Sequence, residues 1–337
     1  MSVRWAWGAA GLLALGAAGS ALAWGSSGHR MIGEAALEAL PAELPAFLHE
    51  AASAVSVGEL SREPDRSRGA GRTHDADRDP GHFVDGDDAG KVAGVVPLDA
   101  LPPTREDYET ALRGAGTSSW KMGYLPYSII GDWQQLAKDF AYWRVDGAGA
   151  RHTADPKHRA WLEADKLRRQ AQILVDIGQL SHFVGDGSMP LHVSIHYNGW
   201  GPFPNPNNYT QDRVHSPWEG AYVRQVVTPR AVAAAMPPFH DCQCPIEQRV
   251  GAYLMSDART VAPFYELEKA GACKRGVAKG VAFTTERVAA GAAELRDEIV
   301  LAWRASAGEK VGYQPEISVA DVEAGKVDPY DSLYGVD

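Results

Sequence analysis

The sequence predicts an all-α fold in a single domain, and three observations carry that prediction. Helical periodicity recurs at residues 29–52, 156–186 and 275–307. Runs of alternating β-branched residues are absent. The stretch 197–214, crowded with Gly, Pro and Asn, reads as loop. The first helix, 29–52, is rich in Ala and Leu and follows Gly28. The Asp-, Arg- and Gly-rich stretch 58–91 reads as loop. Residues 105–144 carry Trp120, Trp133 and Trp143 at the spacing of buried helix faces. Residues 156–186 form one long amphipathic helix with Leu162, Leu167, Ala171, Leu174, Ile177 and Leu180 as its apolar stripe. Residues 217–236, 245–271 and 275–307 read as further helices. The tail, 313–337, is polar, acidic and Pro-containing, and is expected to pack loosely or lack order.

The N-terminus has its own pattern. One early positive charge, Arg4, precedes an apolar small-residue run from Gly8 to Leu22, and the segment ends Ala21-Leu22-Ala23. This is the layout of a secretory signal peptide over 1–23, with export to the periplasm or the exterior as the expectation. No later apolar run is long enough to span a bilayer. Cleavage after Ala23 leaves a domain over 24–312 and the tail.

The balance of 33 Lys and Arg against 43 Asp and Glu gives a net charge of −10. Such a chain is no high-affinity duplex binder, because neutralising phosphates takes Lys and Arg. Bound cations can still supply local positive charge at a phosphodiester. Nothing in the composition implies a stable protein partner. Three cysteines, Cys242, Cys244 and Cys273, allow one bridge and one leftover thiol. A bridge from Cys242 or Cys244 to Cys273 would close a loop of about thirty residues.

The chemistry lies in the histidines. His182-Phe-Val-Gly-Asp186 places an imidazole and a carboxylate on one helix face at i and i+4. His192 follows, after a Pro190 that ends the helix and turns the chain back. His215-Ser-Pro-Trp-Glu219 repeats the pairing, with Ser216 placed to cap its helix and Pro217 in its first turn. Upstream stand His82 in an Asp-rich loop and Asp65 in Glu-Pro-Asp-Arg-Ser-Arg. Imidazole and carboxylate donors without thiolates suit catalytic zinc.

Taken in order, Trp24-Gly-x-x-Gly-His29, the Asp65 segment, His82-Phe-x-Asp, His182-Phe-x-Gly-Asp186-x-x-x-Pro-Leu-His192 and His215-Ser-x-Trp-Glu219 form a pattern. It resembles the S-one/P-one-type secreted nucleases, which share a superfamily with bacterial zinc-dependent phospholipase C. The resemblance implies three zinc ions in a cleft of an all-α domain. Asp65, His82, His182 and Asp186 would hold the first, and His192, His215 and Glu219 the second. The α-amino nitrogen and carbonyl oxygen of Trp24, with His29 and Asp186, would hold the third. The implied enzyme is a hydrolase of ester bonds that uses a metal-activated water, with Asp65 as base. Arg68 stands where the nucleases carry a transition-state Arg, in competition with Arg62, Arg66 and Arg72.

Two substrates fit this resemblance. One is single-stranded DNA or RNA, cut to 5′-nucleotides, with 3′-nucleotidase activity as a companion. In that case Phe83 would stack on a base and Asp85 would bind its edge. The other is a phospholipid head group. Trp218 leans towards the nucleases, while Glu219, where they usually carry Asp, leans towards phospholipase C. A third expectation, of a different class, is a non-catalytic exported zinc-binding protein. Two departures from the pattern stand out: a long interval between His82 and His182, implying an insertion within 86–165, and a 197–214 loop without the nucleases' Gly-Gly-Asn. Trp200, Phe203 and Tyr209 in that loop would line a base site, touch lipid or pack the loop, with packing expected for at least one of them.

Overall fold

The computed structural model describes residues 24–68 and 71–335, apart from the Arg72 side chain. Residues 1–23, expected to be a signal peptide, lie outside the described residues. The fold is all-α, with two antiparallel sheets of two short strands each. Among the described residues no helix is long and apolar enough to cross a membrane.

Three helices form the frame: α1 (Gly25–Glu38), α7 (Leu125–His152) and α8 (Pro156–Gly187). Asp155 starts α8 by accepting the Lys157 amide at 2.7 Å, with Pro156 in the first turn. Only three residues join α7 to α8, so the two run antiparallel, packed along most of their length. The long helix Ala278–Ser306 packs on α1, α7 and α8. Ile32, Val184, Leu295 and Ile299 lie fully buried in the core these helices share.

Several expectations change. The first helix begins at Gly25, not after Gly28, and the 29–52 stretch breaks into α1, a 3₁₀ turn (Ala46–His49) and α2 (Ala51–Leu60). Pro41 and Pro45 stand in the break, where proline cannot continue a helical ladder. The stretch 58–91 is not loop alone. It holds α3 (Glu63–Arg68), α4 (Arg72–Arg78) and a 3₁₀ turn (Asp79–His82), short elements without an apolar period to announce them. On α8 the predicted stripe fails at Leu167, which is 66% exposed, and at the exposed Ala171. The buried face passes instead through Asp165, Ile173 and Asp176, so carboxylates occupy positions that apolarity alone would not select.

Those carboxylates face others across the helix pair. Arg169 donates to Asp139 at 2.8 Å, while Asp146, fully buried, faces Asp165. Burial, with Asp165 beside it, pushes Asp146 up to about 8. Burial likewise pushes Asp132 and Asp176 up to about 7. A carboxyl that keeps its proton only when folded stabilises the fold at low pH. That contribution is lost as pH rises from the unfolded value near 4 towards 8. Arg168 and Arg169 oppose the shift at Asp146 without cancelling it. Asp146→Asn is therefore expected to flatten the decline in stability between pH 6 and 9. At the alkaline end it should gain about 1–3 kcal/mol over the parent. Denaturant melts at several pH values check this, and parallel curves for the two proteins would contradict it.

The tail is not loose. Its Ile317, Val319 and Val322, with Val311 just before it, bury against Ala141, Val145 and Ala148 of α7 as a satellite core. The Tyr330 ring stacks on His158 at 3.9 Å. A few apolar residues at the right spacing outweigh the polar composition. Within 86–165 the chain folds into a small hairpin, α5 (Arg105–Gly114), α6 (Ser119–Met122) and the whole of α7. Trp200 and Tyr209 pack within their loop and against Tyr265, whereas Phe203 stays partly exposed. Cys242 bonds Cys244, leaving Cys273 as the free thiol. Gln243 between them takes a left-handed φ of 51°, a turn that brings its two neighbours together.

Candidate metal centre

The centre sits where the last turns of α8 meet α1, α3 and two loops. His182 and Asp186 lie one helical turn apart and are fully buried. The chain leaves α8 at Gly187, turns through Met189, and a 3₁₀ turn (Pro190–His192) brings His192 back inward, as Pro190 predicts. His29 enters from α1 and stacks on His182 with ring centroids 4.1 Å apart. Gly185 makes this approach possible: a Cβ there would lie 2.9 Å from His29 Nδ1. Pro217–Tyr222 is a π-helix rather than the expected α-helix, and Ser216 makes no side-chain cap. Its wider turn carries Glu219, facing His215.

Three groups of side chains could each hold a metal ion. They are Asp65, His82 and His182; His192, His215 and Glu219; and His29, His182 and Asp186. Asp186 lies at the junction. Its carboxylate is 3.0 Å from His82 Nδ1, 3.4 Å from His182 Nε2 and 3.5 Å from His29 Nε2. His82 Nδ1 and His182 Nε2 face each other at 2.9 Å. In the second group, His215 and His192 Nε2 approach Glu219 at 2.9 and 3.9 Å. None of these buried atoms of the second group makes a hydrogen bond of normal geometry.

The imidazoles are oriented from behind. His182 Nδ1 donates to the Ser61 carbonyl at 2.8 Å, His192 Nδ1 to that of His82 at 2.6 Å, and His215 Nδ1 to that of Tyr197 at 2.7 Å. With Nδ1 carrying the proton, each Nε2 presents a lone pair to the interior. Backbone carbonyls commonly fix metal-ligating histidines in this way. Burial favours the neutral form at three of the imidazoles: His182 falls to about 3, and His82 and His192 are also lowered. Burial, reinforced by Asp65, raises Asp186. Burial also pushes Glu219 upward, but His192 and His215 outweigh it and leave it lowered. A buried crowd of imidazoles and carboxylates suits cations.

Trp24 is fully buried beside this centre. Its indole donates to Ser188 Oγ at 2.8 Å, its ring meets Trp218 edge-on, and its carbonyl accepts the Gly28 amide. Of the competing arginines whose side chains the structure describes, Arg68 is the one beside Asp65, at 3.5 Å, and it also grips Asp79 at 2.6 Å. Arg62 and Arg66 pair with Glu59 and Glu63 instead. Phe83 and Asp85 line a cavity of about 420 Å³ together with Arg68, His82, His192 and His215. Burial pushes Asp85 up to about 7. The eight expected side-chain ligands thus fall into three groups, two of which share His182, while Arg68, Phe83 and Asp85 line the adjoining cavity and Trp24 reaches the neighbourhood through Ser188.

Residue reasoning missed the supports: the Ser61 and Tyr197 carbonyls, which bear no side-chain signature, and Ser188, which anchors Trp24. It also missed Lys121 and Arg213 in the cavity wall. Comparison with protein-family profiles, with curated proteins and with solved structures gives no match.

Proposed function

We propose that the protein is a zinc-dependent phosphodiesterase that cleaves single-stranded nucleic acid to 5′-nucleotides. The observation that supports this most is the set of three carbonyl-fixed histidines, whose Nε2 atoms converge on Asp186 and Glu219. An all-nitrogen-and-oxygen donor set fits zinc, and the bridged cysteines are not part of it. When bound, zinc would acidify water and neutralise phosphoryl charge. Asp65, grouped with His82 and His182 and 3.5 Å from Arg68, has a carboxyl that burial raises, suited to accepting a proton. Arg68, held by Asp65 and Asp79, presents its guanidinium to the same cavity and would steady the phosphoryl oxygens. Phe83 would stack on a base.

Export, with the mature chain beginning at Trp24, belongs to this reading. The freed amine would then join His29 and Asp186 around a third zinc. Its neighbourhood fits, since Trp24 is pinned to Ser188, two residues beyond Asp186.

Glu219 keeps phospholipase C as the competing reading. One zinc-loaded preparation offered single-stranded DNA, RNA and phosphatidylcholine vesicles decides between them. Nucleotide release without lipid turnover is expected. Lipid turnover alone would reverse the assignment, and bound zinc without either activity would favour a non-catalytic protein.

A further inference from the structure

The cavity over the metal centre has three cations in its wall: Arg68, Lys121 and Arg213. Arg68 is engaged by Asp65 and Asp79. Lys121 and Arg213 are exposed, and neither side chain makes an ion pair or hydrogen bond among the described residues. In a chain with ten more acidic than basic side chains, two cations left without a counter-charge beside this cleft mark a place for an anion.

Each is tied through the backbone to a different ligand group. Lys121 lies in α6, where the Met122 carbonyl accepts the Asp85 amide at 2.8 Å and Gly123 bridges Val84. The segment His82–Asp85 therefore fixes its position. Arg213 lies two residues before His215, whose amide donates to Asn198 Oδ1 at 3.3 Å. One cation is thus held against the His82 group and the other against the His192–His215–Glu219 group. Tyr197, in the same wall, exposes 55% of its surface, enough to offer a ring face.

We propose that Lys121 and Arg213 are positioning residues that grip successive backbone phosphates of a single-stranded nucleic acid on either side of the metal centre. The inference rests on the phosphodiesterase reading and narrows its substrate. A nucleic-acid strand brings a phosphate for each cation besides the one being cut, and a base for Tyr197 to stack on. The head group of a zwitterionic phospholipid brings one phosphate, which the metals and Arg68 already claim.

The test is equilibrium binding of a fluorescent, cleavage-resistant phosphorothioate oligonucleotide across a salt series. It is read for the parent protein, for Lys121→Ala/Arg213→Ala and for the charge-keeping Lys121→Arg/Arg213→Lys. The alanine pair is expected to bind at least about tenfold more weakly at low salt. Its slope of log Kd against log salt should drop by about 1.4, since each single-strand phosphate that a cation neutralises adds roughly 0.7 to the slope. The charge-keeping pair should retain the parent slope. A misfolded variant is identified by its melting curve and metal content, and the two single alanine variants, each expected to show about half of the slope change, then carry the test. An unchanged slope in the alanine proteins overturns the proposal. So does a parent that fails to bind the oligonucleotide, or one that uses these residues only on anionic vesicles. Failure of the phosphodiesterase reading shows separately, as absent turnover of any ester, and leaves the binding result decisive.

Discussion

Asp186→Asn is expected to strip metal from the protein and to cut phosphodiester turnover by more than the roughly tenfold to hundredfold typical of outer supporting residues. The carboxylate belongs to the His29–His182 group and lies within 3.5 Å of His82 and His182 of a second, so its loss is expected to weaken both. The amide is nearly isosteric, but it loses the negative charge and turns one acceptor into a donor aimed at imidazole lone pairs. Metal analysis should show the loss at the His29 and His82 groups while the His192–His215–Glu219 group keeps its ion. His192→Ala should give the converse pattern. Normal metal content and near-normal rates in Asp186→Asn would mean that Asp186 does not bridge.

Chelation should have an effect of similar size on stability. Buried ligands without hydrogen-bond partners destabilise a fold, and a bound cation relieves that cost. A site held at a thousandfold above its Kd adds about 4 kcal/mol, and several sites add more. At about 2–4 °C per kcal/mol for a chain of this size, removing the metals should lower Tm by about 10 °C or more. Zinc should restore the lost stability and magnesium should not, since the donor set is rich in imidazole. A melting temperature unmoved by exhaustive chelation would argue for a hydrogen-bonded histidine cluster instead.

Much of this site was legible because its ligands lie at helical spacing. His182/Asp186 and His215/Glu219 repeat one geometry, and Pro190 announces the turn that returns His192. The length of α8 was legible too, since Pro156 follows a capping Asp155. Its buried face was not. Asp165 is inside with Arg168 and Arg169 of its own helix beside it, and Asp176 with Gln172 donating to it, and a hydropathy pattern carries no record of such partners. The π-turn at Pro217 escaped notice for a related reason, because His and Glu at i and i+4 look the same on either kind of helix. The Cys242–Cys244 pairing depends on one left-handed residue, Gln243, a conformation that its side chain does not advertise. Lys121 and Arg213 stand far from each other in sequence, and only folding brings both to the cavity.

Anomalous X-ray scattering across the zinc absorption edge, measured on crystals of the protein processed to begin at Trp24, tests the central claim most directly. Three zinc peaks are expected. One should lie among Asp65, His82 and His182, one among His192, His215 and Glu219, and one between His29 and Asp186 within bonding distance of the Trp24 nitrogen. Zinc-edge peaks absent from this cleft in metal-replete crystals would contradict the account. A third peak whose coordination excludes the Trp24 nitrogen would remove the role of the amine and leave the other two sites standing.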